Sequence, residues 1–144
     1  MPGLLGTRAP IESDLSLILQ IIAFVMLLVG FRLGKIKTKE GLRRHGILMR
    51  TMVVLHVMGV ATVMIPKFVE GFAAVVNEPA KIGFPLISLH AVLSSIAVFL
   101  GIVLAFRKFG KVRTWMRITF LVWFVTLLLG FSIYVGYYIL SFPI

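Results

Sequence analysis

Residues 47–68, ILMRTMVVLHVMGVATVMIPKF, decide the fold: a nearly unbroken apolar run, close to the roughly 20 residues that a helix needs to cross a 30 Å hydrocarbon core. His56 stands in its middle. A histidine at that depth costs free energy unless it is paired, hydrated or bound to something, which makes it the first functional clue. The rest of the chain is of the same kind. Hydrophobic residues make up 60% and charged residues 14% of the 144 positions, against roughly 45–50% and 25% in soluble domains. The length allows one domain, 1–144, so any function has to reside in spans or short loops.

Three further runs of similar length bracket this one. The expected helices are 15–31, preceded by Ser13 and Asp14 as N-cap candidates, then 47–68, 84–106 and 115–140. Pro66 is expected to bend or end the second helix near its far side. The stretch from Glu70 to Gly83 reads as a loop, with a short interfacial helix in its FAAVV run. The chain is too short, and its apolar runs too continuous, to close a barrel of alternating strands, so the fold class expected is all-α, a four-helix transmembrane bundle.

Charge sets the expected orientation. Arg32, Lys35, Lys37, Lys39, Arg43, Arg44 and Arg50 flank the first connection, and Arg107, Lys108, Lys111, Arg113 and Arg117 flank the third. Only Arg8, Lys67 and Lys81 remain for the other side. The positive-inside rule then puts both basic loops in the cytoplasm and both termini outside, N-out and C-out in the cell membrane. The net charge of +10, split into two juxtamembrane clusters, suits topology and anionic lipid and argues against nucleic acid as a partner. The opening MPGLLGTRAP lacks a basic start followed by a short apolar core, so the first span is expected to persist.

The absence of cysteine excludes disulfides, thiolate-bound metal, iron–sulfur clusters and thioether-attached haem. The five acidic residues, Glu12, Asp14, Glu40, Glu70 and Glu78, all fall at ends or loops, which leaves no expected intramembrane carboxylate pair for proton transport or hydrolysis. No phosphate-binding glycine loop and no zinc-protease helix motif is present. The chemistry available is that of three histidines.

His56 lies eleven residues from Lys67, and His90 nine from Lys81. At about 1.5 Å per residue these depths agree within a few ångströms. Two histidines at one depth on consecutive antiparallel helices can supply the axial imidazoles of a b-type haem. Gly59 and Ser94, with Ala97 and Gly101, would leave room for a flat macrocycle, although the same small residues also suit an ordinary helix seam. Histidines satisfied by interhelical hydrogen bonds are the alternative. Arg50, Lys67 and Lys81 are candidate partners for haem propionates, with snorkelling to the head groups the competing role for Arg50. A second constellation, His45, Met49, Met52 and His56, repeats at spacings of four, three and four, an imidazole and thioether set that suits copper, while methionine at such spacing also serves as core filler. Tyr134, Tyr137 and Tyr138 read as membrane anchors, or as the edge of a quinone pocket.

Several of these residues fall in a familiar order. His45 and Met49 followed by Arg50 and Thr51, His90 within SLHAVL, and RTWMRITFLVW leading on to Gly130 and Tyr134 together resemble the small four-span membrane proteins of the YozB/CtaM type. The resemblance implies a role in maturation of haem–copper terminal oxidases. Members of that family tend to carry further histidines where this chain reads PKFVEGF and GKVRTW, which leaves His56 with His90 as the most economical pair. The pattern is also similar to a minimal four-helix cytochrome b. The expected function is thus one bis-histidine haem b serving respiratory electron transfer or oxidase maturation, with oxidase subunits, quinone or an external electron carrier as partners. A cofactor-free structural subunit and a copper-handling assembly factor are the alternatives, and a redox carrier or assembly factor is favoured over a substrate-converting enzyme.

Overall fold

A computed structural model of the chain describes residues 3–77, 83–106 and 112–140. Its elements are α1 (Ile11–Leu33), α2 (Lys39–Gly59), a π-helical turn (Val60–Met64), α3 (Ile65–Asn77), α4 (Gly83–Phe106), α5 (Val112–Tyr134) and a second π-helical turn (Val135–Ile139). Four helical spans are long and apolar enough to cross a membrane: Ile11–Leu33, Lys39–Phe72, Pro85–Phe106 and Val112–Ile139. α1 packs along α2 and α4 along α5, α2 meets α4, and a lighter contact between α1 and α5 closes the ring. The fold is the four-helix transmembrane bundle expected from the apolar runs.

α2 begins at Lys39 where 47 was expected and α5 at Val112 where 115 was expected, and two further differences have a local reason. α1 begins at Ile11, with Pro10 as its extended N-cap residue, and the amides of Ser13 and Asp14 already bond back to the Pro10 carbonyl. Ser13 and Asp14 are therefore inside the helix and cap nothing. At the other site, Pro66 does not end the second helix. The π-helical turn just before it bonds the Ile65 amide to the carbonyl of Val60, five residues back. Pro66 then falls in the first turn of the helix that resumes, where a missing N–H is tolerated, and α3 carries the FAAVV run on to Asn77 without a break.

The connection between α1 and α2 is built from local hydrogen bonds. Gly34 N–H donates to Gly30 O at 2.9 Å, and Thr38 Oγ1 accepts from Gly41 N–H at 3.1 Å to cap α2. Glu40 accepts from Arg43 and Arg44 on the exposed first turn. The methyl of Met49 lies where a side chain at Gly30 would stand, which lets the two helices approach closely.

The interior is small. Ala23, Met52, Val53, Ala97 and Trp123 form its centre, edged by Phe24, Leu27, Met49 and Val57. The exterior is where the large apolar side chains lie: Phe99 and Val69 are each 66% exposed, and Leu121 is 60% exposed. A soluble protein rarely carries such a surface, whereas lipid tails solvate it at no cost.

Candidate functional site

His56 reaches from α2 across the centre of the bundle and is only 6% exposed. Its ring stands edge-on to Trp123 of α5, centroids 5.5 Å apart, and Trp123 in turn stacks on Phe24 of α1. Trp123 Nε1–H donates to His56 Nε2 at 3.2 Å, while Gln20 of α1 meets Nδ1 at 3.1 Å. An indole N–H can only donate, so Nε2 carries the lone pair and the neutral ring carries its proton on Nδ1. The atom nearest that proton is the Gln20 amide nitrogen Nε2, so the tautomer requires the amide to be turned over for its oxygen to accept.

His90, half-buried on α4, has the same tautomer for a different reason. Its Nδ1–H donates to the backbone carbonyl of Thr126 at 3.1 Å, which leaves the lone pair on Nε2 with a distant Ser94 hydroxyl at 3.5 Å. Ser94 is buried, and Thr126 itself bonds back to Val122 O at 2.8 Å. The His90 ring lies against Gly130, where an added Cβ would come within 2.8 Å of Cε1. Both imidazoles thus lean on one stretch of α5, His56 on Trp123 and His90 on Thr126, about one helical turn apart. Each has its lone pair on Nε2, His90 with Nδ1 held by the Thr126 carbonyl and His56 with Nδ1 beside the Gln20 amide, and outer hydrogen bonds of this kind orient a histidine ligand.

The remaining sequence candidates separate. Gly59 is buried, and the place its Cβ would take is clear of other atoms to 4 Å, so there is space on that side of His56. Lys67 sits on α3 in an exposed ion pair with Glu70 at 3.1 Å. Lys81 lies outside the described residues, as do Arg107, Lys108 and Lys111. Arg50 stands at the mouth of a cavity of about 410 Å³ inside the bundle, which runs from His56 and Trp123 toward the basic end where α2 and α5 begin. Ala97, Gly101 and Ala105 form its α4 wall.

His45, Met49, Met52 and His56 all line this same cavity, so the methionine stripe is one of its walls as well as part of the core. His45 is more than a solvated interfacial residue: its Nδ1–H donates to Gly30 O at 2.7 Å and its ring packs beside Gly34. Among the described residues no three of His, Cys, Asp and Glu converge as a metal-binding group.

At the opposite end lies a cluster that the pattern of charges concealed. Asp14 is fully buried and accepts hydrogen bonds from Tyr134 Oη–H and from Leu5 N–H, the latter at 2.9 Å. Because Tyr134 spends its proton on Asp14, Thr7 Oγ1–H donates to Tyr134 Oη at 2.9 Å. Ser13 meets Tyr138 at 3.2 Å. The segment before α1 folds back to supply these donors, turning at Gly6, whose φ of 70° favours glycine. An acid counted with the chain ends is therefore an interior group.

Gln20, Trp123, Thr126 and Asp14 are the interior polar residues absent from the expected site. Gln20 had a signal, as the sole glutamine of the chain set in a span. The α5 residues had another: Thr119, Trp123, Thr126, Gly130 and Tyr134 recur at spacings of four, three, four and four, a single helix face.

The fold and this interior define an all-α integral membrane protein with two histidines turned toward α5, His56 buried and His90 half-buried. Comparison of the chain with family models, with characterised proteins and with solved structures finds no match.

Proposed function

We propose that the protein is a b-type haem protein of the cell membrane, N-out and C-out with its basic loops cytoplasmic, in which His56 and His90 would hold the haem iron through Nε2. The orientation rests on the distribution of basic residues. The observation that carries the haem reading is the shared tautomer of the two imidazoles: each is set between helices with its lone pair on Nε2, the Trp123 indole N–H fixing it for His56 and the Thr126 carbonyl at Nδ1 fixing it for His90. The open space beside Gly59 adds room at that level. Bound there, haem supplies reversible one-electron redox chemistry. Gln20 and the Thr126 carbonyl would hold the ring orientations, Ser94 and Gly130 would border His90, and Arg50, which lines the cavity with His56 and has no ion pair among the described residues, would be available to a propionate. The role is respiratory electron transfer or maturation of a haem–copper oxidase, the latter in keeping with the resemblance to the YozB/CtaM type.

One observation favours a second reading. Trp123 already occupies the His56 lone pair, and a histidine with both nitrogens paired is what a cofactor-free structural subunit needs. Copper held along the His45, Met49 and Met52 wall is a weaker third reading. A reduced-minus-oxidised visible spectrum of protein expressed with ample haem separates them. Soret and α bands lost on His56→Ala and on His90→Ala are expected. Absence of bands in the parent protein would overturn the haem reading, and bands that persist in both variants would overturn the ligand assignment.

A further inference from the structure

The cavity on the basic side of His56 has features that the histidine pair does not use. Its walls are apolar, with Leu27, Val53, Val98, Gly101 and Phe120 among them, and His90 is not part of the lining. Its volume of about 410 Å³ lies in the range of small-molecule sites. One group in it is unexplained. Thr119 Oγ1 is buried without a hydrogen-bond partner among the described residues, although a threonine hydroxyl in a helix usually bonds back to the preceding turn, as Thr126 and Thr62 do here. Buried unsatisfied hydroxyls are rare and point to a missing partner.

Arg50 is placed to share that partner. Counting toward the basic end, Thr119 lies four residues from Trp123 and Arg50 six from His56. These are drops of about 6 and 9 Å, so the backbones at Thr119 and Arg50 lie within one helical turn in depth on two walls of the cavity, with the Arg50 side chain exposed. Among the described residues Arg50 has no ion pair. A buried donor and an exposed cation lining one apolar cavity match a carboxylate on an apolar body.

We propose that this cavity binds a long-chain fatty acid, its carboxylate between Thr119 Oγ1–H and Arg50 and its chain directed toward Trp123. The proposal does not rest on the haem reading, although His56, Trp123 and Arg50 border both sites, so the two ligands would compete for that space.

Trp123 lines the cavity and Trp115 does not, so Trp115→Phe leaves a single reporter in the chamber. That protein, as isolated in neutral detergent, is titrated with dibrominated stearic acid, which quenches tryptophan on contact. Saturable quenching is expected, weaker by about tenfold with the matching brominated alcohol, which lacks the charge. Arg50→Gln should erase the difference between acid and alcohol. Gly101→Leu should abolish saturation by filling the chamber, and Ala105→Leu does the same job if the first variant loses its helical circular dichroism. Quenching that rises linearly with probe, or that survives both filling variants, overturns the proposal. So does tighter saturable quenching by brominated phosphatidylglycerol, which would assign the cation to a lipid headgroup. If the filling variants instead lose a Soret band and the acid never saturates, the chamber belongs to the porphyrin; this proposal then falls while the haem reading stands. Absence of any haem spectrum leaves the titration unaffected.

Discussion

At the end of the bundle where α1 begins, Asp14 is buried with Tyr134, Thr7 and Leu5 all directed at it or at one another, and the N-terminal segment is folded back to complete the set. At the basic end the bundle holds a partly open apolar cavity lined by Arg50 and by Thr119, whose hydroxyl has no partner among the described residues. Inside a membrane, helices gain little from apolar contact with each other because lipid tails are equally apolar, so satisfied polar pairs do much of the holding. The first end has the chemistry of a clasp, and the second that of a receptacle. Between them stand His56, held by Trp123, and His90, held by the Thr126 carbonyl.

The contrast breaks most sharply at Asp14. Its carboxylate gathers charge-assisted hydrogen bonds, each worth roughly 1.5–3 kcal/mol, and Asp14→Ala leaves Tyr134 and the Leu5 amide without an acceptor. The expected loss is about 3 kcal/mol in reversible unfolding by denaturing detergent, with a smaller loss for Tyr134→Phe. Proteolysis should cut the segment before α1 faster in both variants. Equal stability of Asp14→Ala and the parent protein would show that the cluster holds nothing.

Trp123→Phe tests the middle of the bundle and separates the two functional readings. It removes the donor to His56 Nε2 while keeping an aromatic ring against Phe24. If the histidines are structural, stability should fall by about 0.6–1.7 kcal/mol, the range of interhelical hydrogen bonds in membranes, and no visible band appears. If they ligate haem, the lone pair is freed and the Soret band persists at full occupancy. Gln20→Leu should cost a similar amount by releasing Nδ1, and in the haem reading should also shift the reduction potential through the ring's orientation.

The four spans were legible because hydrophobic runs of that length have one economical solution in lipid. His56, His90 and the methionine wall were legible as costly or patterned residues. What was hidden depended on contacts between distant segments. Asp14 reads as a chain-end acid until the first residues fold over it, and Trp123 reads as ordinary lipid-soluble bulk until α5 crosses opposite α2. Pro66 reads as a helix end because the π-helical turn that accommodates it is a matter of hydrogen-bond register, which the identities of Val60 to Met64 do not announce. The cavity was hidden for a similar reason: Ala97, Gly101 and Ala105 look the same in a closed seam and in the wall of a chamber.

The smallest expected effect is the most informative about that chamber. Thr119→Val exchanges a hydroxyl for a methyl group of the same shape. Where the hydroxyl lacks a partner, its removal relieves a desolvation penalty, so the empty protein should be unchanged or up to about 1 kcal/mol more stable. The equivalent change at Thr126, whose hydroxyl bonds to Val122 O, should bring no such gain. The sign changes once a ligand is present. With fatty acid bound, Thr119→Val loses a hydrogen bond to the carboxylate, and the stabilisation that the acid confers on the parent protein should shrink. A variant more stable than the parent when empty and less responsive to the acid would mark Thr119 as a group kept for what it binds, since its contribution to the empty fold is unfavourable. A variant destabilised under both conditions would return Thr119 to the packing of α5 and make the basic end a second, looser clasp.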